Sequence, residues 1–262
     1  MTVGASATSG NRRILSLDVV RGVAVLGILL LNIVAFAMPT AAYLNPAAYG
    51  GAHGADLGAW VVCFLLFDGK MRGLFTMLFG ASMLLVIERA EAAGQNAARV
   101  HFARNFWLLL FGLAHLWLVW WGDILSLYAP VAFVAWFLRR MEVTPLMVLG
   151  VLLLVLQFAL FGLVPLGLAT MEMRVVAGGA DAAHAAQVLE AMHAEFGRPP
   201  TASLAAELAL YRGGYPGILA DRFAQHAFSP VQSLLMIGPE TLGLMLIGMA
   251  GYRSGMLTGQ WT

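Results

Sequence analysis

An apolar run over residues 22–38 is broken only by Asn32 and is entered through Asp18 and Arg21. Ionisable groups beside hydrocarbon are costly and are seldom kept without a use. Asn32 lies eleven residues beyond Arg21, about three helical turns and ~16 Å of rise, so both occupy one helix face at different depths. One stripe of this segment should therefore point at a polar interior. Further apolar runs at 73–87, 105–121, 124–138, 145–169 and 231–252 are each near the length a bilayer requires. The expected fold is all-α, a polytopic transmembrane helical bundle of about six spans.

With 60% apolar and 11% charged residues and a mean hydropathy of +0.81, the chain cannot be a soluble domain, where charged residues run near ~25%. The net charge of +1 gives no electrostatic case for nucleic acid, so charge placement matters more than its sum. A single cysteine, Cys63, excludes an internal disulfide and a multi-cysteine metal site. Arg12 and Arg13, then Arg89, Arg99 and Arg104, then Arg139 and Arg140, and finally Arg253 fall at alternate connections, whereas 39–54 has neither Lys nor Arg. The positive-inside rule puts the N-terminus in the cytoplasm. Ala35-Phe36-Ala37 looks like a signal-peptidase site, but the run is long for a signal core and carries polar residues, which favours a retained helix.

Four regions follow: a disordered polar tail at 1–11, a transmembrane core with spans one to five at 12–169, an external helical cap at 170–229, and a sixth span with the C-terminal stretch at 230–262. Residues 56–87 are too many for one span and too few for two. They read as a short interfacial or re-entrant helix at 57–67, a polar break at 68–73, then the second span. Broken backbone at membrane depth is tolerated only beside protein or a wet cavity. Gly122 and Asp123 join spans three and four in a tight hairpin, with Trp117, Trp120 and Trp121 at the level of an interfacial aromatic belt. Within the cap, helices are expected near 181–196 and 203–211.

Each polar cluster admits a structural and a functional reading. Asp18 and Arg21, at i, i+3 spacing, can pair to set the register of the span, or Arg21 can clamp an anion with its planar fork of donors. Asp68, Lys70 and Arg72 at the break can snorkel to headgroups or pair among themselves, or bind an anionic ligand. His115, well inside the third span, can hydrogen-bond across helices or act as a base toward a wet cavity. Asp123 can cap the fourth helix or orient His115. In a straight helix, however, ~12 Å of rise separates them, so direct contact needs a bend or a water. Glu240, after Pro239, is either buried and functional or suited to a helix start. His53, His184, His193 and His226 lack metal-ligand spacing, and no metal is expected.

The stretch Leu17-Asp18-Val19-Val20-Arg21-Gly22 through Asn32, followed by Ala41-Ala42-Tyr43-Leu44-Asn45-Pro46, resembles the start of the YeiB-type bacterial inner-membrane family. Leu74-Phe75-Thr76-Met77-Leu78-Phe79-Gly80-Ala81, Gly112-Leu113-Ala114-His115, Trp121-Gly122-Asp123-Ile124-Leu125-Ser126-Leu127-Tyr128 and Arg253-Ser254-Gly255 are similar to its later blocks. Such proteins continue with further spans, so the chain is expected to be the N-terminal part of a longer pattern.

The first-span pattern, Asp-x-x-Arg-Gly with a polar residue eleven positions after the arginine, is also similar to the transmembrane acyltransferase superfamily, including the heparan-glucosaminide N-acetyltransferases and bacterial O-acyltransferases. The resemblance implies transfer of an acyl group from a cytoplasmic donor such as acyl-CoA to a glycan on the far side of the inner membrane. O-acyltransferases often have a histidine where this chain has Asn32; the glucosaminide enzymes keep asparagine and use a later histidine, in the region of His53. His115 is preferred here. The expected site has Arg21 with Lys70 or Arg72 on the donor phosphates, His115 oriented by Asp123 as base, and Asn32 donating to the oxyanion. The rival class is a transporter or flippase that uses the same buried charges without chemistry.

Overall fold

The computed structural model describes residues 15–195 and 201–259, and the expected tail at 1–11 lies outside them. The described residues form eleven α-helices: α1 Leu15–Ala37, α2 Ala41–Leu44, α3 Gly54–Leu66, α4 Lys70–Ala92, α5 Ala97–Ala114, α6 Leu125–Leu138, α7 Val143–Ala177, α8 Ala182–Glu195, α9 Thr201–Tyr211, α10 Tyr215–His226 and α11 Ser229–Arg253. Five helical stretches are long and apolar enough to cross a membrane, and α6 is a shorter apolar sixth. This is the all-helical membrane bundle that hydropathy leads one to expect.

Two ends of the bundle can be told apart by following the chain. The end where α1 starts is called the N-side, and the end carrying α8 to α10 the cap side. The segment after α1 is tied to the cap by Glu207, whose Oε1 accepts from the Thr40 amide at 2.9 Å and its hydroxyl at 2.8 Å. Asp68, two residues beyond the end of α3, accepts from the Tyr43 hydroxyl. Helix α3 thus begins and ends on the cap side, and only α4 crosses. Gly69, at φ +66°, turns the chain between them in a conformation that costs other residues more. The break is shorter than 68–73, because Lys70 and Arg72 already belong to the first turn of α4.

Helix α11 is the centre, packed against α4, α6 and α7. Glycines allow its backbone to approach its neighbours: a Cβ at Gly80 would overlap the Met245 carbonyl, and one at Gly248 the Met77 carbonyl. Gly150 and Gly243 face each other in the same way between α7 and α11. Small residues at such crossings replace the hydrophobic drive that lipid removes. Outward faces are apolar instead, as with Leu26 on α1 and Phe158 on α7, 66% and 81% exposed.

Helix α7 runs 35 residues, ~52 Å at 1.5 Å per residue, well beyond the ~30 Å hydrocarbon core. It therefore passes residue 169 and projects into the cap, where α8 packs on it. The cap also contains α10, which sequence reading missed. Gly213, Gly214 and Gly217 around Pro216 look like loop, yet Pro216 falls in the first turn of the helix, where its missing N–H costs nothing.

Candidate functional site

The site begins with a defect in a helix. α5 passes at His115 into a π-helical turn, His115–Val119, and the chain then extends at Trp120, φ −157° and ψ 133°. A π turn is wider than an α turn and is frequently found at functional positions. Here the wide turn and the extended residue fold the connection back, so the ~12 Å of a straight helix collapses to direct contact. His115 Nδ1 lies 3.0 Å from Asp123 Oδ1. The other carboxylate oxygen accepts the Ser126 amide at 2.7 Å, capping the start of α6. Asp123 thus touches His115 with one oxygen and the start of α6 with the other. The aspartate side chain is 1% exposed and the histidine 38%. Since a carboxylate offers only acceptors, the Nδ1–H donates to it and Nε2 is left as an acceptor.

His115 and Asp123 line a cleft of about 320 Å³ on the cap side, together with Asn32 of α1, Tyr43 of α2, Asp68, Arg72 and Trp120. The Tyr43 hydroxyl donates to Asp68 Oδ1 at 2.6 Å. Burial, and then the bond to Asp68, push this phenol well above the ordinary tyrosine range. Arg72 Nη2 donates to Glu240 Oε1 at 2.8 Å, while its Nη1 is buried without a partner among the described residues. A guanidinium with a spare donor, in the first turn of α4 where the helix dipole is positive, suits a ligand oxygen.

Arg21 is elsewhere. It pairs with Asp18 at 3.3 Å and also hydrogen-bonds Ser82, ten residues along α4 from Arg72, or ~15 Å of rise. Asp18 and Arg21 line a second cleft, about 710 Å³ on the N-side, with Arg89, Arg104, Leu125 and Tyr128. The expectation that Arg21 joins Lys70 or Arg72 at one ligand is thus corrected: the helix carries them to opposite ends. Lys70 is exposed and lines neither cleft, because α4 turns it away from the face that carries Arg72. His53 is exposed ahead of α3 and also lines neither. The tryptophans face inward more than a belt would: Trp120 packs edge-on to Phe36 at 4.5 Å and Trp117 lies 5.9 Å from Phe223 of the cap.

Between the clefts, Tyr128 is fully buried and bonded to Thr76, whose hydroxyl also donates to the Arg72 carbonyl at 2.8 Å. Leu125 touches both clefts. Sequence reading assigned no role to Tyr43, Arg89, Arg104 or Tyr128, and did not connect Glu240 to Arg72. Arg89 and Arg104 had been visible only as topology signals; Tyr43 and Tyr128 lie in the quoted blocks, but a tyrosine carries no spacing signature.

The chain is similar to uncharacterized protein YeiB of Escherichia coli. Identity is 35% over 256 residues, 95% of this chain and 58% of YeiB. Uncharacterized protein YxaH of Bacillus subtilis is 36% identical over 154 residues, 57% of this chain and 38% of that protein. The chain thus spans 58% of the length of YeiB and 38% of YxaH. These similarities support the YeiB-type resemblance. No family model matches the chain, and no solved structure does.

Proposed function

We propose that the protein is a membrane-embedded acyltransferase of the YeiB type, moving an acyl group from a cytoplasmic acyl-CoA to a hydroxyl or amine of a glycan at the cap side. The observation that carries this reading is the His115–Asp123 pair in a cleft that meets, across Leu125, a second cleft rimmed by arginines. Arg89 and Arg104 at the N-side, with Arg139 and Arg253 beyond, support a cytoplasmic N-side in a bacterial inner membrane by the positive-inside rule.

In this scheme Arg21, Arg89 and Arg104 hold the donor phosphates, and the thioester reaches the Leu125 seam. His115 Nε2 takes the proton of the acceptor, whose oxygen or nitrogen attacks the thioester carbonyl. Asp123 holds the imidazole and offsets the charge it gains, the logic of a base oriented by a third group. Asn32 and the spare Arg72 donor face the developing oxyanion. The C–S bond then breaks, and the thiolate leaves with the proton carried by His115.

The test is transfer of label from acetyl-CoA to glycan by the purified protein in proteoliposomes. His115→Ala is expected to lower transfer ~10²–10⁴-fold while the protein stays folded and membrane-inserted; unchanged transfer removes His115 from the mechanism. A second reading, a transporter, is favoured by the two opposed clefts separated by a thin barrier. Solute flux without label transfer would select it.

A further inference from the structure

The cap encloses a third cleft, about 570 Å³, that shares Phe36, His115 and Trp120 with the His115 cleft and continues it outward. Its far wall is α9 and α10, which contribute Glu207, Tyr211, Arg212 and Arg222. Arg222 is 5% exposed, and its Nε and Nη1 are buried with no hydrogen-bond partner among the described residues. A buried guanidinium on α10 with two unpaired donor nitrogens is costly to keep. That helix is also held by other residues, Tyr215 donating to the Leu118 carbonyl of the π turn at 2.7 Å and His226 stacked at 6.3 Å on Trp121, just beyond that turn.

The charges around Arg222 leave it available. Glu207 is the acid in the wall, and its Oε1 is already engaged by the Thr40 amide and hydroxyl. Arg212 reaches the Tyr49 hydroxyl at 3.4 Å and adds a second positive charge. Arg222 also donates to the Tyr211 phenol, which burial pushes above its usual range, and Nε and Nη1 are the donors left over.

We infer that this vestibule is a binding site for an oxyanion, a carboxylate or phosphate, with Arg222 as its anchor. Taken with the acyl-transfer reading, on which this step rests, the acceptor is an anionic sugar whose charged group sits on Arg222 while its hydroxyl or amine meets His115. The same chemistry can come from a free sugar or from a lipid headgroup, and the test separates the two.

The full chain is placed in nanodiscs of phosphatidylcholine, and its intrinsic tryptophan fluorescence, to which Trp120 and Trp121 of the cleft contribute, is followed during titration with glucose 6-phosphate, glucuronate and neutral glucose. A saturable response to the two anions, competed by inorganic phosphate and absent with glucose, is expected; so is a rise in thermal midpoint with glucose 6-phosphate, since a ligand of the folded state stabilises it. Arg222→Gln should weaken anion binding about 10- to 100-fold, the range for a lost charge-assisted hydrogen bond, and Arg222→Lys should weaken it less. An Arg222-dependent response on doping the discs with phosphatidylglycerol, without response to the sugars, assigns the site to a headgroup. If wild-type protein shows neither response nor thermal shift with any anion, or Arg222→Gln binds as wild type, the site is refuted. The two proposals fail separately. Arg222-dependent binding without label transfer keeps the vestibule and removes the transferase. Label transfer with anion binding that Arg222→Gln leaves as in the wild type does the reverse.

Discussion

The two clefts on either side of Tyr128 are built on opposite plans. On the cap side polar groups come in pairs, His115 with Asp123, Tyr43 with Asp68, Arg72 with Glu240, held at 3.0, 2.6 and 2.8 Å. On the N-side, Arg21, Arg89 and Arg104 share the cleft with a single acid among the described residues, Asp18, so positive charge is in surplus there, and Arg89 and Arg104 are exposed. Bond-making needs groups fixed in place before the substrate arrives, whereas a flexible polyanion can be gathered by mobile charge. Substitutions on the cap side should therefore act on rate, and those on the N-side on affinity.

The sharpest test is Asp123→Asn. An amide can still accept the Ser126 N–H and cap α6, but it can present a donor to His115 and favour the wrong tautomer. Transfer should fall ~10²–10⁴-fold with KM for acetyl-CoA unchanged. A loss confined to KM, or none, would erase the contrast between the clefts.

Only part of this contrast was legible in the sequence. Asp18, Arg21, Asn32, Asp68, Arg72, His115 and Asp123 stood out because polar residues in apolar runs are conspicuous, and helical spacing correctly paired Asp18 with Arg21. Their division between two clefts was not legible. Sequence treated Arg21 and Arg72 as one anion site, since hydropathy marks both only as charges at span ends and says nothing of which end of the bundle each occupies. The contact between His115 and Asp123 depends on a π turn, which no propensity announces; straight geometry argued against it. Helix α10 was hidden by glycines and a proline that happen to fit a first turn.

A smaller effect is expected on the N-side. Arg89→Gln and Arg104→Gln should each raise KM for acetyl-CoA about 10-fold, the low end for a hydrogen bond to a charged group, and leave kcat in place. High salt should mimic them in the wild type, because exposed charges are screened beyond ~10 Å at 0.1 M. If either variant lowers kcat at saturating donor while KM holds, the N-side does more than gather charge.

The partition between the clefts can be probed by Tyr128→Phe. The ring stays packed on Phe79, 5.3 Å away, and Thr76 keeps its bond to the Arg72 carbonyl, so only one hydrogen bond is lost. Stability should drop by ~1 kcal/mol, read as a lower thermal midpoint in detergent. Transfer should change by no more than a few-fold, since the hydroxyl belongs to neither set of working groups. A loss as large as that of Asp123→Asn would make Tyr128 part of the chemistry and the two clefts one site.

The smallest effect concerns the pair that shapes the cap-side floor. Tyr43 has its ionisation raised by burial and by Asp68, so the folded protein holds that proton at pH values where an unfolded chain, with a tyrosine near ~10, has released it. Above ~10 the folded state binds more protons than the unfolded one, and stability must fall as pH rises. The contribution is complete below ~10 and is lost toward the folded value. Tyr43→Phe removes the hydroxyl and with it this dependence. At neutral pH the variant should be less stable by ~0.5 kcal/mol, the low end for a half-buried hydrogen bond, and the gap should narrow through the alkaline range as the wild type weakens. Parallel unfolding midpoints for the two proteins from pH 8 to 11 would mean that burial and Asp68 do not hold the Tyr43 phenol protonated, and that the cap-side cleft is less firmly wired than its geometry implies.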